Sequence, residues 1–174
     1  SHDAAVLPHL NRRDMPPVGI WYYGGSAQVN AHPRVPEKPD ILSVFGSKKQ
    51  QKHSLHLRRF EFLNEAMTEL DDLISVYGNG FHRVEYKAEA IDSFKYHLAV
   101  ENHIGPHHWT EKLSDAFLGY SLPFYVGCTN AAEYFPEDAF IPIDIRDTKK
   151  AVDTIRAAIA DNAFEKRLPA IIEA

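Results

Sequence analysis

Cysteine is nearly missing from this sequence. Cys128 stands alone among 174 residues, so no intramolecular disulfide can form and no cysteine-built zinc cage exists. That fits a reducing compartment. Long apolar runs are missing too, since none approaches the ~20 residues that span a bilayer. The first residues, SHDAAVLPHLNRRDM, lack the basic region and apolar stretch of a secretory signal. Together these traits favour a cytoplasmic or membrane-peripheral setting. Positive charge is not in excess: the formal net charge is -5, which argues against nucleic acid as a partner held by bulk attraction. Local basic spots remain suited to small anions. No P-loop, GxGxxG, GxSxG or HExxH occurs, so the usual nucleotide and hydrolase motifs are lacking. No internal repeat or low-complexity tract is apparent.

What is present suits one globular domain with a real core, with 44% hydrophobic and 25% charged residues. Residues 1–40 carry little pattern. They hold Pro8, Pro16, Pro17, Pro33, Pro36 and Pro39 and one short strand candidate, VGIWYYG (18–24). Ser1-His2 is read as an expression scar, so the natural start is expected to lie elsewhere. Regular pattern begins at ILSVF (41–45), a run of strand length. After the polar loop GSKKQQKHS (46–54), the next segment can place Leu55, Phe62, Leu63, Met67 and Leu70 on one side of a helix.

LISVYG (73–78) reads as a second strand, KAEAIDSF (87–94) as a short helix and KYHLAVE (95–101) as a third strand. TEKLSDAFLGY (110–120) reads as a helix, SLPFYVG (121–127) as a fourth strand and AFIPIDI (139–145) as a fifth, with NAAEYF as a helical turn between the last two. Asp147 can cap a helix whose stripe is Val152, Ile155, Ala158 and Ile159. A last helix through FEKRLPAIIEA is expected to be interrupted at Pro169. Strands alternating with helices from 41 onward predict an α/β fold, a Rossmann-like parallel sheet with helices on both faces. Ligands of such sheets bind beyond the carboxyl ends of the strands, near helix N-termini.

ENHIGPHHWTEKL (101–113) lies in such a place and is the densest chemistry in the chain. A metal site could use Glu101, His103, His107 and His108. Yet Gly105 and Pro106 separate the histidines and prevent the continuous helix that would put His103 and His107 on one face. Solvated or hydrogen-bonded loop histidines are the better reading, and no metal is expected. An anion site is better supported. Thr110, Glu111 and Lys112 open a helix directly after a core strand, where free N–H groups and a positive dipole end meet the Lys112 charge. Thr110 can cap that helix or donate to an oxygen. Glu111 suits vicinal ribose hydroxyls, since a carboxylate accepts well. An ordinary capped helix start with a solvated lysine explains the same pattern equally well. A second basic element, KHSLHLRRF (52–60), follows the first strand, with Lys48 and Lys49 ahead of it. An arginine there offers a fork of donors to phosphate oxygens, although a solvated helix face is the better reading for any one of these charges.

The order of motifs is more telling than any one of them. FKYHLAVEN, PHHWTEKLSDAF, LPFYVG and FPEDAFIPIDI resemble the C-terminal domain of the α-1,3-fucosyltransferases, glycosyltransferase family 10. That family reads YKF-x-x-x-FENS, DY-x-TEK, a VPVVYG-like strand and P-x-DAFI in the same order. Upstream, R-x-x-F (Arg59 to Phe62) and VYG (Val76 to Gly78) fit as well. The resemblance covers roughly residues 40–165. It implies the C-terminal half of a GT-B architecture, binding a nucleotide diphosphate sugar, GDP-fucose above all, for inverting transfer to a glycan acceptor.

The same resemblance implies that Arg59 and Lys112 hold the diphosphate and that Glu111 contacts the ribose. It puts Glu101, Asn102, His108 and Thr110 at the nucleotide-sugar pocket. No further cofactor is implied; the nucleotide sugar is the substrate. Two departures stand out. His103 replaces the family's Ser, and His107-His108 replace its Asp-Tyr, which marks donor specificity as the property open to change.

Family members also carry an N-terminal domain that binds acceptor and supplies a carboxylate base. Residues 1–40 are too few for it, and their acids, Asp3, Asp14, Glu37 and Asp40, have no motif context. No catalytic base is therefore assigned. Residues 1–40 are read as the remnant of, or a linker from, such a domain, and 41–174 as the nucleotide-sugar-binding domain. The chain is expected to be the donor half of a glycosyltransferase, completed by a further domain or by a homo-oligomer. A non-catalytic nucleotide-sugar-binding or scaffold module is the competing expectation.

Overall fold

The computed structural model describes residues 35–47 and 55–174. The strand candidate at 18–24 and the basic residues Lys48, Lys49 and Lys52 lie outside them. Five strands, β1 (Asp40–Ser47), β2 (Ile74–Asn79), β3 (Phe94–Gly105), β4 (Leu122–Cys128) and β5 (Ile141–Pro142), form one sheet in the order β2-β1-β3-β4-β5. Each neighbouring pair is parallel. Among the described residues four α-helices accompany them: α1 (His56–Leu70), α2 (Glu111–Leu118), α3 (Thr148–Ala160) and α4 (Ala163–Glu173).

The helices divide between the two faces, and β3 shows how. Tyr96 donates its hydroxyl hydrogen to Ala158 O of α3 at 3.2 Å and accepts from Phe164 N of α4 at 3.1 Å. Side chains two apart share a face and neighbours oppose. His97 therefore points the other way, as does Glu101, which meets Thr110 at the head of α2. Burial on both faces explains why every residue of β4 is buried, the continuous apolar run of a parallel core strand. In α1 the buried residues are Phe62, Leu63, Ala66 and Leu70, the 3.6-residue stripe its sequence implies; Met67 packs partly buried beside them. Asp147 caps α3 by accepting from Lys150 N at 3.0 Å.

Four expectations need correction. Residues 87–94 form only a 3-10 turn over Lys87–Ala90. β5 is two residues long rather than seven; Pro142 suits its place on the edge strand, and one further backbone bond, Ile143 N to Tyr125 O at 3.0 Å, ends the pairing. The last helix runs unbroken through Pro169. Proline there removes the N–H that would reach the Glu165 carbonyl, but Glu165 and Pro169 are both exposed, so water can satisfy that group while Phe164 and Ile171 stay buried. Finally, β3 does not stop at Glu101. It runs to Gly105 with an irregularity: from Val100↔Val126 to Gly105↔Cys128, β3 advances five residues while β4 advances two. Three extra residues bulge from the strand, a device that re-aims side chains at a sheet's functional end. Among the described residues no helix is long and apolar enough to cross a membrane.

Candidate functional site

Strand order reverses direction between β1 and β3, and a crevice opens beyond their carboxyl ends, where doubly wound sheets bind ligands. The cavity there measures about 280 Å³; Ser47, Arg59, Lys87, Asn102, Glu111 and Lys112 help to line it. Five separate elements supply these groups, with Ser47 at the end of β1 and Lys87 on the 3-10 turn. Arg59 comes from the first turn of α1, Asn102 from the bulge of β3, and Glu111 and Lys112 from the first turn of α2.

Glu101 sets the geometry from below. It is fully buried, and both its oxygens are engaged by Thr110: Oε1 accepts from the backbone N at 2.8 Å and Oε2 from the hydroxyl at 2.6 Å. Its remaining polar neighbour is Lys112 Nζ at 3.5 Å. Burial raises the Glu101 pKa, while the Thr110 bonds and the Lys112 charge work against that rise. Glu101 therefore fixes the head of α2 and has no surface of its own to present to a ligand. Gly127 on β4 makes its position available: a Cβ there would lie 2.3 Å from Glu101 Cγ and 2.6 Å from the Tyr125 hydroxyl. Thr110 is the N-cap of α2, its hydroxyl accepting from Lys112 N at 3.4 Å. It also receives Lys112 Nζ at 3.2 Å, so this lysine is folded back over the helix start.

Arg59 is half-buried and donates through one terminal nitrogen to Asn102 Oδ1. Its Nε is buried with no hydrogen-bond partner among the described residues. An orphaned guanidinium N–H costs free energy and is a vacancy suited to an anion oxygen. Burial lowers the Arg59 pKa, and the Glu101 and Glu111 carboxylates oppose that. Arg58, its neighbour, turns away to Glu65 and Thr148.

The histidines have a different place. His107 takes a left-handed conformation at φ 56°, donates its backbone N–H to Asn130 Oδ1 at 2.7 Å and pairs its ring with the Tyr134 hydroxyl at 2.6 Å. His103 and His108 meet edge to face with ring centroids 5.1 Å apart. Among the described residues no three His, Cys, Asp or Glu side chains are gathered to hold a metal ion.

Lys87 is a lining residue that sequence reasoning passed over. It leaves the 3-10 turn after β2 and reaches Asp115 Oδ2 at 2.5 Å and Glu111 Oε1 at 4.0 Å. No local pattern could reveal it, because its partner lies 28 residues away and is a buried acid of α2.

Comparison with known proteins agrees with this geometry. Residues 35–164 match the model of the glycosyltransferase family 10 (fucosyltransferase) C-terminal domain. An alpha-(1,3)-fucosyltransferase, FucT, of Helicobacter pylori is 30% identical over 76 residues, 43% of this chain and 16% of that protein. The 4-galactosyl-N-acetylglucosaminide 3-alpha-L-fucosyltransferase 9 of Cricetulus griseus is 32% identical over 117 residues, 63% of this chain and 30% of that one. The chain thus matches less than a third of the length of either relative. Two crystal structures of an alpha1,3-fucosyltransferase share the fold. The one with GDP has a TM-score of 0.60 at 24% identity, over 74% of this chain and 38% of the other. The one with GDP-fucose has 0.60 at 23%, over 75% and 38%. Parallel sheet, motif order and a family match across residues 35–164 lead to one conclusion: this chain belongs to glycosyltransferase family 10, the fucosyltransferases, and carries the family's C-terminal domain.

Proposed function

We propose that the crevice between β1 and β3 binds a nucleotide diphosphate sugar, GDP-fucose, as donor for inverting transfer to a glycan acceptor. The observation that carries this reading is the convergence of Arg59 and Lys112 on one cavity, with the buried Arg59 Nε lacking a partner among the described residues. Two cations at one end and a helix N-terminus between them suit a diphosphate. In this reading Arg59 and Lys112 take the phosphate oxygens, and Glu111 accepts from the ribose hydroxyls. Asn102 holds the guanidinium in place, whereas His108 does not line this cavity. Glu101 and Thr110 act from behind by fixing the first turn of α2.

The same cations serve the chemistry. Inverting transfer forms a bond from the acceptor oxygen to the anomeric carbon as the bond to the diphosphate breaks on the opposite face. Negative charge grows on the leaving diphosphate, where Arg59 and Lys112 stabilise it. The acceptor hydroxyl loses its proton to a base, which we assign to no residue of this chain. A second reading is a non-catalytic nucleotide-sugar-binding or scaffold module that binds donor without transferring it. Titration calorimetry with GDP, GDP-fucose and other nucleotide sugars tests the proposal. Folded protein that binds none of them refutes it. Transfer or donor hydrolysis by the isolated chain, lost on changing one acid, refutes the second reading.

A further inference from the structure

Glu111 and Asp115 lie one turn apart on the same face of α2, a spacing at which two carboxylates repel. Asp115 is nearly fully buried, and Lys87 is the cation in contact with it. Glu111 has two cations beside it: Lys112 at 3.2 Å and Lys87 at 4.0 Å. Their charges hold the Glu111 pKa low, overcoming a burial effect that acts to raise it. For Asp115 burial wins and raises the pKa, with Lys87 opposing and Glu111 adding to the rise. Were a diphosphate to draw Lys112 away, Lys87 would be the cation still lying between Glu111 and Asp115.

We infer that Lys87 is a positioning residue for nucleoside recognition: set between Asp115 and Glu111, it keeps the Glu111 carboxylate aimed into the cavity when Lys112 turns to the diphosphate. This rests on the donor reading above. Lys87 lines the same cavity as Glu111 and Lys112, so it is placed to respond when they are engaged. Lys87 in this role governs preference for a nucleoside with free ribose hydroxyls, not affinity for phosphate.

The test is a ratio of affinities for GDP and 2′,3′-dideoxy-GDP, measured on the same sample so that any unfolded fraction cancels. The parent should prefer GDP by about tenfold or more, the scale of a hydrogen bond to a charged group. K87Q should lower that ratio to near the value of E111Q. K87R should restore most of it, and K87Q added to E111Q should change it no further. A K87Q ratio equal to the parent's, equal weakening of both ligands, or additive loss in the double variant overturns the inference while leaving GDP binding intact. A parent that binds no GDP overturns the donor reading and this inference with it.

Discussion

Gly127→Ala is the sharpest test of how the site is built, because the glycine touches no ligand group in any reading of the cavity. The new Cβ would lie 2.3 Å from Glu101 Cγ, 2.9 Å from Glu101 Cβ and 2.6 Å from the Tyr125 hydroxyl. None of these neighbours can yield freely. Tyr125 OH accepts from Cys128 N at 2.9 Å, and Glu101 is buried with both oxygens held by Thr110. Overpacking of this kind costs about 1–3 kcal/mol. Loosening a bond to a buried carboxylate adds a share of the ~1.5–3 kcal/mol such bonds contribute. An overall loss of roughly 2–4 kcal/mol is expected, a fall in Tm of roughly 5–15 °C for a domain of this size. Because the displaced group is the one that fixes the head of α2, GDP affinity should fall as well. Urea and thermal unfolding give the first quantity, calorimetry the second. Glu101→Ala removes the Cγ that clashes, so E101A/G127A should be clearly less destabilised than the sum of the single variants. A G127A protein that melts within a degree or two of the parent, or an additive double variant, would show that Glu101 does not depend on the missing side chain.

Arg59→Ala and Lys112→Ala should each weaken GDP binding by about 1.5–3 kcal/mol, or roughly 10- to 100-fold; calorimetry showing parental affinity for both removes the phosphate assignment. His97 is fully buried, 2.8 Å from the Ser43 hydroxyl, and burial with the nearby Lys87 and Lys38 charges lowers its pKa to about 3. The folded state thus resists a proton that the unfolded chain accepts near pH 6.5, so stability is full above that pH and is lost as pH falls. About 2–3 kcal/mol should disappear between pH 6.5 and about pH 4.5, and His97→Gln should flatten that slope in urea titrations. Lys38 Nζ donates to the carbonyls of Asp92 at 2.9 Å and Gly119 at 2.5 Å and to the Ser121 hydroxyl at 3.3 Å. Lys38→Met strands these acceptors and should cost about 1–3 kcal/mol in the same assay, with little change in GDP affinity.

The parts of the fold that rest on local pattern were legible in the sequence. The α1 stripe, the Thr110 and Asp147 caps and the apolar run of β4 all obey rules that span a few residues. What escaped depends on distant partners. The bulge in β3 is visible only against β4, since it is defined by the register between the two strands. Pro169 reads as a break until its solvent-facing position is known. The site divides the same way. Arg59, Asn102, Glu111 and Lys112 could be singled out from motif order, and they line one cavity. The sequence could not show that Glu101 is buried beneath that cavity. Nor could it show that Lys87 reaches the cavity through Asp115.

The bulge separates two kinds of selection along one strand. From Tyr96 to Glu101 every β3 residue is buried, so change there is judged by whether the chain folds. Asn102, His103 and Ile104 are exposed on the excursion, and pairing resumes at Gly105. Side chains on those three positions can be exchanged without disturbing the ladder on either side. Asn102 is the one of the three that lines the crevice, so a lineage could retune what the crevice accepts at that position while the architecture that presents it stays constant.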